Sequence, residues 1–346
     1  MKKQQIPTFA DSICDLRTRK IKKTFFTQIN KIIDWDSIDN LIGQHYTKGD
    51  SATGTPSYSG LLLFKMSLLQ TWYGLSDYDV EDRVNDSISF GYFCGLTIDS
   101  LAPDHSTLSR FRSIMTKSKA YDKLFHEINN QLEAHGIIIK TGAIVDASIV
   151  DTPLKPKGKV NHRITEDRVD TQKVAVKKDY ADSVDKDASW LKKSGEYRYG
   201  YKKHHVTDNE GLVLGVVTTK ASKNEISNLD EVLDSANLPE RIAIKADKGY
   251  QSEKNTKILK ERKLENHILK KAKRNKPLTD WEKKFNKKVG QTRFNVERTF
   301  GGIKKWFNGG VARYRGMEKM HTQNVMEAMC YNLYRSPGII ASNSEN

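Results

Sequence analysis

Cysteine is scarce in this chain: Cys14, Cys94 and Cys330 are the only thiols in 346 residues. They lie far apart, with no CxxC or Cys/His spacing, which argues against a disulfide framework or a structural zinc site and leaves ordinary thiols. Long apolar runs are also missing. Nothing approaches the ~20 residues of a membrane span, and the opening MKKQQIPTFADS lacks the apolar core of a signal peptide. The expectation is a cytoplasmic, globular protein with no membrane partner. Its 346 residues suffice for about two domains of roughly 100 to 200 residues each.

Negative charge is in deficit. Against 58 Lys and Arg stand 43 Asp and Glu, a net charge of +15. The imbalance is local: Arg241 to Arg315 holds 23 basic and 7 acidic residues, a balance of +16, so the remainder sums to about −1. A confined positive field is the electrostatic footprint of a nucleic-acid partner, because neutralised phosphates release condensed counterions. A solvated lysine face kept for solubility is the alternative, but solubility does not require clustering.

The few acids that do occur in apolar surroundings therefore carry information. In AIVDASIVD, Ala143 to Asp151, strand alternation puts Ile144, Asp146, Ser148 and Val150 on one face. Asp146 then sits among core residues, where a charge must be paired, protonated or bound to a cation. RIAIKADKGY, Arg241 to Tyr250, is a second apolar strand, ending in Asp247. RFNVERTFGGIK, Arg293 to Lys304, is helical and carries Glu297. At 100° per residue Arg293, Glu297 and Lys304 fall on one side of that helix. Converging carboxylates repel by roughly 4 kcal/mol per pair at ~4 Å and an effective dielectric near 20, so they need protons or divalent metal between them. Oxygen-only ligands favour Mg²⁺ or Mn²⁺ over zinc. Two such ions can activate a water or 3′-hydroxyl and stabilise the leaving oxygen of a phosphodiester.

Around this constellation the chain reads in order as follows. Residues 1–57 look like an arm and a loop, with the basic piece RTRKIKK at Arg17 to Lys23. LLLFKMSLLQTWYG from Leu61 is a buried helix stopped by Gly74, and Ser76 with Asp79 resembles a capping box opening the next. DHSTLSRFRSIM, Asp104 to Met115, buries Leu108, Phe111 and Ile114 and turns Arg110 and Arg112 outward, either as a DNA-groove helix or as plain packing. A helix from Tyr121 to Ala134 closes this all-helical part, residues 1–135. Residues 136–336 then read as strand, hairpin, helix, strand, helix, strand, helix, a mixed α/β order. They are interrupted by a charged, mobile insert at about 153–193 and followed by a polar tail at 337–346. The final long helix is expected from about Trp281 to Phe307. Adjacent His204 and His205 face opposite ways on a strand and cannot share one ion. Trp190 and Trp306 could stack on an unpaired base, whereas Phe307 suits the core.

Together these residues resemble the DDE transposases of bacterial insertion sequences, specifically the insertion-sequence-five family with the InsH-type N-terminal domain. Val145-Asp146-Ala147-Ser148 matches that family's first strand, Ala246-Asp247-Lys248-Gly249-Tyr250 its second acid motif, and Arg293, Glu297 and Lys304 its helix signature. The signature's Tyr position is Gly290 here. GYK at Gly200 to Lys202 and PDHSTLSRFR at Pro103 resemble further family segments. The resemblance implies an RNase H-like catalytic core and two Mg²⁺ ions, with Mn²⁺ as substitute, on Asp146, Asp247 and Glu297. It implies binding to the inverted repeats of its own element as a homo-oligomer on double-stranded DNA. Lys248, Arg293, Arg298, Lys304, Lys305, Arg110 and Arg112 are the expected DNA contacts. A regulator without catalysis and a structure-selective nuclease on the same core are the rival functions.

Overall fold

The computed structural model describes residues 20–46, 58–97, 99–157, 161–166, 174–179, 183–193, 195–272 and 277–344. Cys14, and the basic piece before Lys20, lie outside these. Among the described residues the chain begins with helices α1 (Lys20–Ile32) and α2 (Trp35–Gly43), not with the expected arm. Phe26, Ile29, Ile38 and Ile42 are buried, so this segment contributes core and cannot be a free appendage. α3 (Gly60–Tyr73) is enclosed on nearly every side and ends at Gly74 in the left-handed conformation, φ 66°. Ser76 and Asp79 form the expected capping box at the start of α4 (Asp77–Asp86). α5 (Ile88–Cys94), α6 (His105–Lys117) and α7 (Ala120–Ala134) complete the helical part.

A mixed sheet follows. β1 (Gly142–Asp151) is its central strand, antiparallel to β5 (Glu196–Thr207) on one side and parallel to β7 (Ala243–Ala246) on the other. β5 pairs outward with β6 (Val213–Lys220) and, at its other end, with β4 (Ser189–Lys193); β7 pairs in parallel with β8 (Glu265–Ile268). This order and these strand senses are those of the RNase H-like core that the resemblance implies. A separate hairpin, β2 (Asn161–Glu166) with β3 (Val174–Asp179), lies within the insert. The end of the insert is built into the sheet: Val184 and Ala188 are buried, and Asp185 accepts the Tyr201 hydroxyl at 2.7 Å. The end of the segment expected as a mobile loop is instead ordered structure, because mixed charge hides a strand and a buried acid.

Short helices α8 (Leu229–Asp234) and α9 (Glu253–Glu261) connect the later strands, and the long helices α10 (Asp280–Phe307) and α11 (Met317–Ser344) close the chain. α10 opens on a capping box, Thr279 with Glu282. The second long helix was not foreseen, and it runs through Pro337 to Ser344 where the sequence reads as a polar tail. Its buried face, Val325, Ala328, Met329 and Leu333, packs on α7, on β6 and on α3. Trp72 donates its indole N–H to the Cys330 carbonyl at 2.9 Å, fixing α3 to α11. One buried cluster thus extends from Phe26 through Val145 to Leu333. Cys94 and Cys330 are buried free thiols within it.

Candidate functional site

Alternation along β1 places Asp146 and Ile144 on the face covered by α10. Ile144, Val296 and Phe300 form a small apolar cluster there. His205, directly opposite Asp146 in the ladder, stacks on Phe300 with centroids 4.7 Å apart. Buried polar groups also fix the helix. Thr299 donates to the Gly211 carbonyl at 2.6 Å, and Gly211 has φ +86° with no room for a Cβ against the helix backbone. Gly200 lets β5 pass β1, since a Cβ there would stand 2.0 Å from the Val150 carbonyl oxygen. The register that brings Asp146 beneath Arg293 rests on these close approaches.

Arg293 reaches down between the two strand acids. Its guanidinium stands 3.5 Å from Asp146 Oδ2 and 3.5 Å from Asp247 Oδ1. Asp146 also accepts the Ala147 N–H at 2.8 Å, and Asp247 caps the turn Lys248–Tyr250 by accepting the Lys248 N–H at 2.7 Å. Burial pushes the Asp146 carboxyl above its ordinary range; the Ala147 N–H and Arg293 oppose that, while Glu225 and Asp247 add to it. Glu297, one turn beyond Arg293, is exposed and makes no hydrogen bond or ion pair among the described residues. As placed, no group of three acids, histidines or cysteines among the described residues is gathered closely enough to hold a metal ion. Asp146 and Asp247 are brought together, and Glu297 stands outside them.

The expected DNA contacts divide. Lys248, Arg298, Lys304, Lys305 and Arg110 are exposed. Arg298 donates to the Glu210 carbonyl at 2.8 Å, and Arg110 to the Thr107 hydroxyl at 3.1 Å. Partial desolvation and the charges of Lys203, Arg198 and Lys193 hold the Lys304 ammonium below its ordinary value. Arg112 is a correction: it is buried, donates to Asp77 Oδ1 at 2.5 Å and to Gln70 at 3.1 Å, and lies over the Tyr314 ring. α6 is rotated from the expected orientation, with Arg112 and Met115 inward and Ile114 44% exposed. A partially buried ion pair satisfies Arg112, so it cannot reach a groove. Gly290, at the family's Tyr position, is open to solvent with nothing near a Cβ.

Sequence reasoning missed two groups beside the acids. Tyr250 is fully buried and its hydroxyl finds no hydrogen-bond partner among the described residues. Glu225 lies in the short turn Glu225–Asn228 and pairs with Lys202 at 3.3 Å. Tyr250 had its signal in the ADKGY motif, whereas a lone Glu after a strand carries none. His204 and His205 are both buried, and burial lowers His204 to about 3. Both are therefore structural. Trp190 and Trp306 are partly exposed, and Phe307 is buried as expected. Asp151 ends β1 and pairs with Arg198.

A family model described as "Transposase DDE domain" matches residues 139–333, and one described as "Transposase domain (DUF772)" matches residues 15–113. The chain is 34% identical over 229 residues to the transposase for insertion sequence element IS1106 of Neisseria meningitidis serogroup B, covering 66% of this chain and 76% of that one. Solved structures are more distant. The piggyBac transposase synaptic complex with hairpin DNA overlaps 94% of this chain and 76% of that one at 12% identity and a TM-score of 0.44. The Mos1 transposase paired-end complex overlaps 85% and 82% at 10% identity and a TM-score of 0.22. A match across more than half of the chain, joined to a one-third identical relative, makes this chain a member of the DDE transposases of bacterial insertion sequences.

Proposed function

We propose that the protein binds the terminal inverted repeats of its own insertion sequence as a homo-oligomer, cleaves the ends, and joins the freed 3′-hydroxyl to target DNA. The reading extends to a cytoplasmic protein of the insertion-sequence-five family working on double-stranded DNA. The observation that supports it most is the guanidinium of Arg293 held between Asp146 and Asp247. Contacts of 3.5 Å are longer than the about 2.7–2.9 Å of a well-made charge-assisted bond. The pair of carboxylates is thus organised around a positive charge without being closed upon it.

This donor set fits a hard divalent cation. The two acids offer only oxygen, and the imidazole opposite Asp146 in the ladder, His205, is committed to stacking on Phe300. Glu297, unpartnered and on the same side of α10 as Arg293, is the third carboxylate we assign. Bound there, two Mg²⁺ or Mn²⁺ ions would supply an activated water or 3′-hydroxyl and neutralise the leaving oxygen. The chain's own groups do the rest. Arg293 holds the acids in register, and Lys304, Lys305, Arg298 and Lys248 draw phosphates to the face of α10. The presence of all three acids in the sequence weighs against a purely regulatory role, and the separate helical part weighs against a structure-selective nuclease.

Inverted repeats in the DNA flanking the reading frame provide the substrate. Incubated with that DNA, the protein is expected to release a 3′-hydroxyl end in Mg²⁺ or Mn²⁺, and to fail in Ca²⁺ or in excess EDTA. Full cleavage in EDTA would contradict the two-ion reading.

A further inference from the structure

The Asp146 side chain faces α10, but a further carboxylate approaches from beneath the sheet. Glu225 follows β6 in the turn Glu225–Asn228, which packs against the turn Lys248–Tyr250 that Asp247 caps. Its partner Lys202 lies on β5, and alternation from His205 opposite Asp146 puts Lys202 on the other face. Lys202 is nearly buried, donates to the Lys223 carbonyl at 2.8 Å and pairs with Glu225 at 3.3 Å, so the turn is tied to the sheet at both its start and its acid. β7 stops at Ala246, level with Val145, so no strand separates the two faces beside Asp146 on that side.

Tyr250 ends the turn that Asp247 caps and that packs against the turn carrying Glu225. Its side chain is wholly buried, its hydroxyl has no partner among the described residues, and the charges that reach it are Glu225, Asp146, Arg293 and Asp247. A buried hydroxyl without a hydrogen bond costs about 1–3 kcal/mol, so this orphan marks a place where a water or ion completes the site. Glu225, in turn, pairs with Lys202, and its charge reaches Asp146 as well as Tyr250.

We propose that Glu225 is a positioning residue of the acidic site, a fourth carboxylate that strengthens divalent-cation binding at Asp146 and Asp247 through the buried Tyr250 hydroxyl. This rests on the cation-binding reading above. Groups just outside a metal's ligands typically change its affinity by roughly 10- to 100-fold when removed. Lys202, paired with the carboxylate, offsets part of its charge.

The test is direct titration of Mn²⁺ by electron paramagnetic resonance on the full chain without DNA, which needs no turnover. Asp146→Asn should abolish binding; wild-type affinity in that variant would sink the cation site itself and leave Glu225 without a role. With that control lost as expected, Glu225→Gln should bind roughly tenfold more weakly, Glu225→Asp should recover most of the loss, and Tyr250→Phe should weaken binding several-fold. Lys202→Met separates charge from structure: it should bind Mn²⁺ at least as well as wild type, since it removes an opposing charge. Affinity within twofold of wild type in Glu225→Gln would overturn the proposal. So would an equal loss in Lys202→Met, which would mean that Glu225 serves only the ion pair.

Discussion

Arg293 is placed 3.5 Å from both Asp146 and Asp247, joining an acid of β1 and the acid that follows the parallel strand β7 to one helix. Replacing it with Gln removes the cation that pairs with both and leaves two facing carboxylates. Arg293→Gln is expected to melt a few degrees below wild type in EDTA, and Mg²⁺ should raise its melting temperature more than it raises that of wild type. Equal Mg²⁺ shifts in the two proteins would show that cation and guanidinium do not share a site.

Beneath α11 a different ion pair holds the fold. Lys203 and Glu327 meet at 2.8 Å with side chains 0% and 2% exposed, and Lys203 also donates to the Gly309 carbonyl. Breaking a buried pair strands a charge, at a cost of about 3–5 kcal/mol, while replacing both partners with apolar groups is often near neutral. Lys203→Met should therefore destabilise strongly in urea unfolding, and Lys203→Met with Glu327→Met together should cost less than the single change. A double variant less stable than Lys203→Met would contradict this.

Asp208 gives a pH signature. It is buried at the turn between β5 and β6, Oδ1 accepts from the Glu210 and Leu212 N–H groups, and Oδ2 has no hydrogen-bond partner among the described residues. Burial lifts its carboxyl to about 6, against an ordinary value of 3.8. A raised folded value means that ionisation opposes folding, so its contribution to stability is lost as pH rises from about 4 to about 6. His204 runs oppositely, being lowered, and costs stability as pH falls below 6.5. The Asp208→Asn variant isolates the first effect. Its stability relative to wild type should rise between pH 4 and pH 6 and be level above; a flat difference across that window would remove Asp208 as the cause.

The basic region should show itself in salt. Neutralising six or so phosphates gives a slope of log K against log salt of roughly −5, and Lys304→Ala should reduce its magnitude by about one. A slope near zero would show that the Arg241 to Arg315 region is not the DNA face.

Period and burial made much of this legible in the sequence. The apolar runs around Asp146 and Asp247 announced strands, and the 3.6-residue spacing announced α10. Arg112 failed because its partner Asp77 is 35 residues distant, and no helical wheel reveals that a guanidinium is claimed from another helix. α11 failed because its buried face is rich in Asn, Gln and Glu, which are satisfied only through partners such as Lys203 and the backbone of β6. Glu225 depends on a tertiary approach across the end of a strand, so local pattern could not expose it.

The central claim is that Asp146, Asp247 and Glu297 act as one set, and Glu297 is its least secured member because it stands apart from the other two. Strand cleavage of terminal-repeat DNA at saturating Mg²⁺ should therefore be compared between wild type and Glu297→Gln, with end binding measured in parallel. The account predicts that end binding is nearly unchanged or tighter, since a negative charge near phosphates is gone, while cleavage falls by orders of magnitude. Wild-type cleavage by Glu297→Gln would contradict the assignment and leave Glu297 an ordinary surface acid on α10.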